Sequence, residues 1–242
     1  ELVKGTNGSW EDAFYLSIAR SFGLRTNALP FELLAKNTPL KVLSKHKNNL
    51  FQIEAILFGQ SGLLSDAKIL DDYSGDLFKE YKYLQRKFSL TPIEGHLWKF
   101  LRMRPTAFPT IRISQFAALV KSSSSLFSKI LDINDSKEII NLFQVESSEY
   151  WKTHYIFGKE SKLSQKRIGK DTLSIVALNS LVPFIFAYGL YKADNLLKEK
   201  AIKLLEVIRP ENNVITEGFK NLGLNADSAY ETQAMVQLKT QY

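Results

Sequence analysis

Thr172–Tyr191, TLSIVALNSLVPFIFAYGLY, is a run of twenty residues without a charge. Its length equals that of a membrane-spanning helix, roughly 20 residues. Its content points elsewhere: Ser174, Asn179 and Ser180 interrupt the apolar run, Pro183 sits at its centre, and the chain holds no second segment of this kind. The reading is a buried central helix, kinked at Pro183 because proline lacks an N–H and clashes with the preceding turn. No membrane contact is expected.

On both sides of that helix the remaining periodicity is helical. Leu196–Ile208, LLKEKAIKLLEVI, is a strong helix stopped by Pro210, and Val214–Asn221 and Ser228–Tyr242 give two final helices. Upstream, Asp71–Phe88 carries the stripe Leu77, Tyr81, Leu84, Phe88 with charges opposite. Ser9 caps a helix through about Phe22, with Asp12 at the capping-box position and Gly23 as its stop. Pro30 and Pro39 open short helices, and Asn48 or Asn49 opens LFQIEAILFGQSG, which Gly59 and Gly62 end. Phe108–Val120 and Ser136–Gln144 are further helices, joined across the serine turn 122–125. The expected fold is all-α, an irregular multi-helix bundle around a buried apolar helix with at most minor strand content. Trp98–Met103 and Thr110–Ile113 are the places for short strands. Residues 1–242 read as a single helical domain, with 146–170 as the place for any subdivision.

The chain carries 32 Lys and Arg against 25 Asp and Glu, a net charge of +7. That balance favours anionic partners, although interspersed acids are equally consistent with a solvated surface of modest positive excess. With no cysteine there is no disulfide, thiolate metal site or Cys nucleophile. His46, His96 and His154 lie far apart in no ligand motif, so neither a metal nor a cofactor is expected. The first residue is Glu1, and no signal peptide follows; the expectation is a piece of a longer, cytoplasmic protein. Oligomeric state is left open.

The segment His96–Val120 concentrates candidate chemistry. Arg102, Arg104 and Arg112 surround Pro105 and Pro109. On an extended segment Arg102 and Arg104 would point to the same side, and Arg112 would stand near a helix N-terminus, where free N–H groups favour anions. The alternative is that the arginines tie the connection to nearby acids or carbonyls. A second basic run holds Lys41, Lys45 and Lys47, of which Lys41 and Lys45 share a helical face. Such a face would contact phosphates without sequence specificity. Glu54, inside LFQIEAILFG, is a buried acid that must be paired or raised in pKa; an arginine or Gln60 is the expected partner. The many aromatics fall on apolar stripes and read as core. No Gly-rich phosphate loop, nucleophile elbow or paired-His motif is present.

Three segments, GSWEDAFYLSIARSFGLRTNALPFELLAKNTPLKVLSKHKNNLFQIEAILFGQSGLL (7–64), EYKYLQRKF and WKFLRMRPTAFPTIRISQFAALV (98–120), resemble the C-terminal portion of a bacterial domain-of-unknown-function family, number 2851. DSAYETQAMVQLKTQY resembles that family's last helix. The resemblance brings no activity with it. It implies a preceding half with acidic residues spaced like those of restriction-endonuclease-like nucleases, and cysteines beyond residue 242. On that analogy the helical part would contact nucleic acid through Arg102, Arg104 and Arg112. The leading expectation is therefore a non-catalytic module for nucleic acid or another phosphate-bearing partner. Its competitor is a protein–protein interaction or structural domain, with an acidic protein among the partners. An enzyme using Glu54 with the arginines is the most distant reading.

Overall fold

A computed structural model describes residues 2–65, 69–123 and 125–241. After a short α1 (Leu2–Gly5), α2 (Trp10–Phe22) starts as its sequence implies: the Ser9 hydroxyl accepts the Asp12 N–H at 3.2 Å. Phe14, Ile18 and Phe22 are buried on one face, where they meet Phe116 and Phe184. Gly23 is needed for close approach, not for a left-handed stop. Its φ is −70°, and a Cβ there would lie 2.2 Å from the Asn27 carbonyl oxygen. The chain turns directly into α3 (Ala28–Lys36), which packs on α2, and α4 (Leu40–Ser44) follows.

The centre of the core is made by α5 (Leu50–Gln60), α6 (Asp72–Phe88) and α7 (Pro109–Ser122). Every residue from Ile53 to Gln60 is buried. Asn49 caps α5 by accepting the Gln52 N–H, and Asp71 with Ser74 forms a reciprocal capping box on α6. Leu77, Tyr81 and Leu84 face inward as the stripe required. Gly59 does not end α5. Its missing side chain admits the Tyr81 ring, whose Cγ would be 2.1 Å from a Cβ at this position. Side-chain absence here sets how closely α5 and α6 cross.

Next come α8 (Leu126–Asp132) and α9 (Ser136–Asn141); of the serine turn before α8, Ser124 lies outside the described residues. Both ends of α8 are capped from other helices. Glu11 accepts the N–H groups of Phe127 and Ser128, and Lys200 donates to the carbonyls of Ile130 and Leu131 at 2.7 and 2.8 Å. An acid at the N-terminus and a cation at the C-terminus both complement the helix dipole. The two places proposed for strands are otherwise occupied: Thr110–Ile113 lies within α7 and 98–103 is irregular. The strand pair is β1 (His154–Ile156) with β2 (Lys159–Glu160), antiparallel, following a 3-10 turn at Glu149–Lys152. Trp151 of that turn is fully buried, stacked on Phe58 at 5.2 Å and beside Phe157, which anchors 146–170 on α5.

The apolar stretch forms α10 (Lys170–Val176), a π turn (Ala177–Leu181) and α11 (Val182–Tyr191) in one continuous helix. Pro183 cannot donate to the Asn179 carbonyl and its ring crowds it, so the turn before it widens into π geometry. The expected kink takes this form. The helix is long and apolar enough by composition to cross a membrane, yet 44% of its most apolar window is buried within the protein. It flanks the core rather than forming its centre: Phe184 packs on Trp10 and Phe14 of α2, α11 packs on α12 (Asn195–Val207) and Ile185 is fully buried, while Phe186, Leu190 and Tyr191 are exposed. Finally, α13 (Val214–Asn221) and α14 (Ala229–Gln241) close the chain.

Candidate functional site

Of the two basic runs seen in the sequence, the lysine run gains neighbours from α6. Lys41, Lys45 and Lys47 are all exposed. Lys41 borders a cleft that also contains Asp12, Lys36 and Tyr15. Lys45 instead lies over the Phe88 ring at 5.2 Å, and Lys87 of α6 lies over the same ring at 5.3 Å. The C-terminal half of α6 then continues this surface with Lys82, Tyr83 and Arg86, all exposed and without an acid between Lys82 and Lys87. Of the acids in the other half, Asp76 pairs with Lys79 at 3.2 Å and Glu80 accepts from Gln52 at 2.7 Å, while Asp72 stands exposed at the far end of the helix.

The three arginines do not form one cluster. Arg102 and Arg104 are exposed and have no side-chain partner among the described residues. Arg102 has φ +60°, so the segment is not extended and the same-side reasoning fails. Arg112 is buried in the first turns of α7, where Nη1 donates to Gln115 Oε1 at 3.0 Å and Nη2 to Thr172 Oγ1 at 2.7 Å. Its Nε has no acceptor, and burial pushes its pKa down to about 10, so it remains a cation at neutral pH. Gln115 passes the tie on, donating to the Lys166 carbonyl at 3.0 Å. Arg112 is therefore an internal strut between α7 and the start of α10, closed to an outside anion.

Glu54 is fully buried, and its partners are neither an arginine nor Gln60. Ser114 Oγ donates at 2.6 Å, Tyr73 OH at 2.5 Å, and Ser148 Oγ at 2.9 and 3.0 Å. The Trp151 indole N–H makes no hydrogen bond of normal geometry, yet it sits near enough to favour the carboxylate. Burial raises the Glu54 pKa above the usual 4.5, and these donors only partly offset it. Tyr73 is raised as well, by burial first and by the adjacent carboxylate second. Gln60 serves another tie, donating to the carbonyls of Asn37 and Thr91 and accepting from Tyr81. With its carboxylate buried and occupied by these hydroxyls, Glu54 is an internal tie between α5, α6, α7 and the segment before β1. Among the described residues no group of three or more His, Asp or Glu is placed to hold a metal ion.

Ser114 and Ser148 were missed by sequence reading. A serine two positions after Arg112 in an otherwise apolar helix was the available signal for the first; nothing in the 146–170 stretch marked the second. In the sequence Tyr73 is one residue of an amphipathic helix, and its tie to Glu54 depends on the α5–α6 crossing.

A family model described as "Protein of unknown function (DUF2851)" matches residues 1–214. The chain belongs to this family. The DUF2851 match covers the basic face of α6, the Glu54 cluster and the Arg112 strut. It stops at the first residue of α13, so Asp227–Tyr242 lies outside it, although that segment resembles the family's last helix. No curated protein and no solved structure matches the chain.

Proposed function

We propose that this DUF2851 member is a binding module for the phosphate backbone of nucleic acid, with the C-terminal half of α6 and the end of α4 as its contact surface. The observation that carries this reading is the shared Phe88 ring. It brings Lys45 and Lys87 from distant parts of the chain onto one basic face, which Lys82 and Arg86 extend. The exposed Tyr83 adds a ring for base stacking beside those cations. Arg102 and Arg104 provide further unpaired cations. No base-reading element is implied, so the expected binding is sequence-tolerant and salt-sensitive.

The test is fluorescence anisotropy of labelled DNA and RNA across a salt series. Binding at low salt should weaken with a linear log–log slope, and Lys45→Ala/Arg86→Ala/Lys87→Ala should flatten that slope by about 0.9 per lost contact on duplex DNA. Absence of binding at low salt in the unaltered chain sinks the proposal. A second reading, a protein interaction domain, is favoured by exposed Leu190, Tyr191, Leu196, Val214 and Leu222 on the C-terminal helices. It predicts instead that polar substitution of these residues abolishes partner capture while nucleic-acid binding is unaffected.

A further inference from the structure

Away from the α6 face, α2 and the π turn leave a cleft of about 620 Å³, bordered by Ser17, Arg20, Ser21, Arg25, Ile175 and Asn179. Behind it stands Ser180, fully buried on the π turn, 2.9 Å from Ser17 and 2.8 Å from Ser21. Three hydroxyls carry three O–H donors, and the two hydrogen bonds among them use two. However the hydroxyls rotate, one O–H is left without an acceptor among the described residues. When the bonds run in series, that donor is on Ser17 or Ser21, both of which line the cleft. A donor so placed faces the cleft, where a ligand oxygen can accept from it.

The rim supplies donors and no acid. Arg25 and Asn179 are exposed, and their side chains have no partner among the described residues. Arg20 uses Nη1 on Glu32, which leaves its other guanidinium N–H groups free, and Glu32 is already shared with Lys36. Ile175 adds an apolar wall. The widened turn that places Asn179 and Ser180 here is a feature of the Pro183 site, and single π turns of this kind recur at functional sites.

We infer that this cleft binds a small organic oxyanion, in the first place a phosphate monoester. The guanidiniums of Arg25 and Arg20 take the charge, while the serine O–H and the Asn179 amide orient the oxygens. Donors converging from two elements suit the several acceptor oxygens of a phosphate better than a flat carboxylate. The organic part lies against Ile175. None of these residues belongs to the α6 surface, so the two sites stand or fall separately.

The experiment is calorimetric titration of the full chain with phenyl phosphate, inorganic phosphate and benzoate. Phenyl phosphate should bind saturably and roughly tenfold more tightly than inorganic phosphate, because only it can use the apolar wall. Arg25→Gln and Asn179→Ala should each weaken it about tenfold at an unchanged melting temperature, since both residues are exposed. The Lys45/Arg86/Lys87 triple-alanine variant should bind phenyl phosphate normally. Absence of saturable binding for all three probes, or binding indifferent to Arg25→Gln and Asn179→Ala, overturns the site. Benzoate binding as tightly as phenyl phosphate overturns the phosphate assignment.

Discussion

Glu54 and Arg112 are both charged groups taken out of water in the same core, and neither has an ionic partner. Glu54 is surrounded by hydroxyl donors from α6, α7 and the segment before β1, and it can shed its charge by holding a proton. Arg112 has two neutral acceptors, a bare Nε and no comparable escape, since even the lowered pKa leaves it protonated at neutral pH. The Glu54 region is thus a set of donors gathered on one acceptor, with only the Trp151 indole N–H left out, whereas the Arg112 region is a lone cation held by two neutral acceptors. Removing the shared acceptor strands its donors; removing an unpaired cation relieves a desolvation cost.

The largest effect should therefore come from Glu54→Ala, which leaves the buried Ser114 hydroxyl and the half-buried Tyr73 and Ser148 hydroxyls without their acceptor and opens a void. A loss of about 3 kcal/mol or more is expected in chemical denaturation. Glu54→Gln keeps the volume and tests the charge. The folded pKa of Glu54 is raised above its unfolded value, so the native state binds the proton more tightly. Its stabilising contribution is full below the unfolded value near 4.5 and is lost as pH rises through the folded value. Stability of the unaltered chain relative to Glu54→Gln should thus decline with rising pH across that window. A pH-independent difference between the two would show that Glu54 does not titrate there.

A smaller effect is expected for Arg112→Met. An apolar chain of similar reach removes the cost of burying the cation but leaves Gln115 Oε1 without its donor, so the two offset and the denaturation midpoint should move by no more than about 1 kcal/mol in either direction. A loss as large as that of Glu54→Ala would break the contrast and make Arg112 part of a network too. The smallest effect belongs to Arg102→Ala with Arg104→Ala: both side chains are exposed and unpaired, so the midpoint should move by less than about 0.5 kcal/mol. Any change these two cause should appear in nucleic-acid binding instead.

Much of the fold was legible because its signals are local. Ser9, Asn49 and the Leu77–Tyr81–Leu84 stripe mark helix starts and faces through interactions within a few residues. Gly59 and Gly23 were legible as glycines but not in their role, since what each accommodates is a ring or a carbonyl from another element. The two-ended capping of α8 by Glu11 and Lys200 was invisible for the same reason: the partners lie more than a hundred and about seventy residues away. Arg102, Arg104 and Arg112 looked alike in a Pro-rich connection, and the first turn of α7 separates them by rotating Arg112 inward.

By itself the sequence determined an all-α chain, the faces of most of its helices and a positive charge excess, because hydrophobic period, caps and composition act locally or additively. Tertiary structure alone decided which charges are open to a partner. It put Lys45 beside Lys87, closed Arg112 and Glu54 to solvent, and set Ser180 behind an arginine-bordered cleft. Electrostatic and hydrogen-bonding roles depend on burial and on neighbours brought from afar, and only the packed chain supplies both.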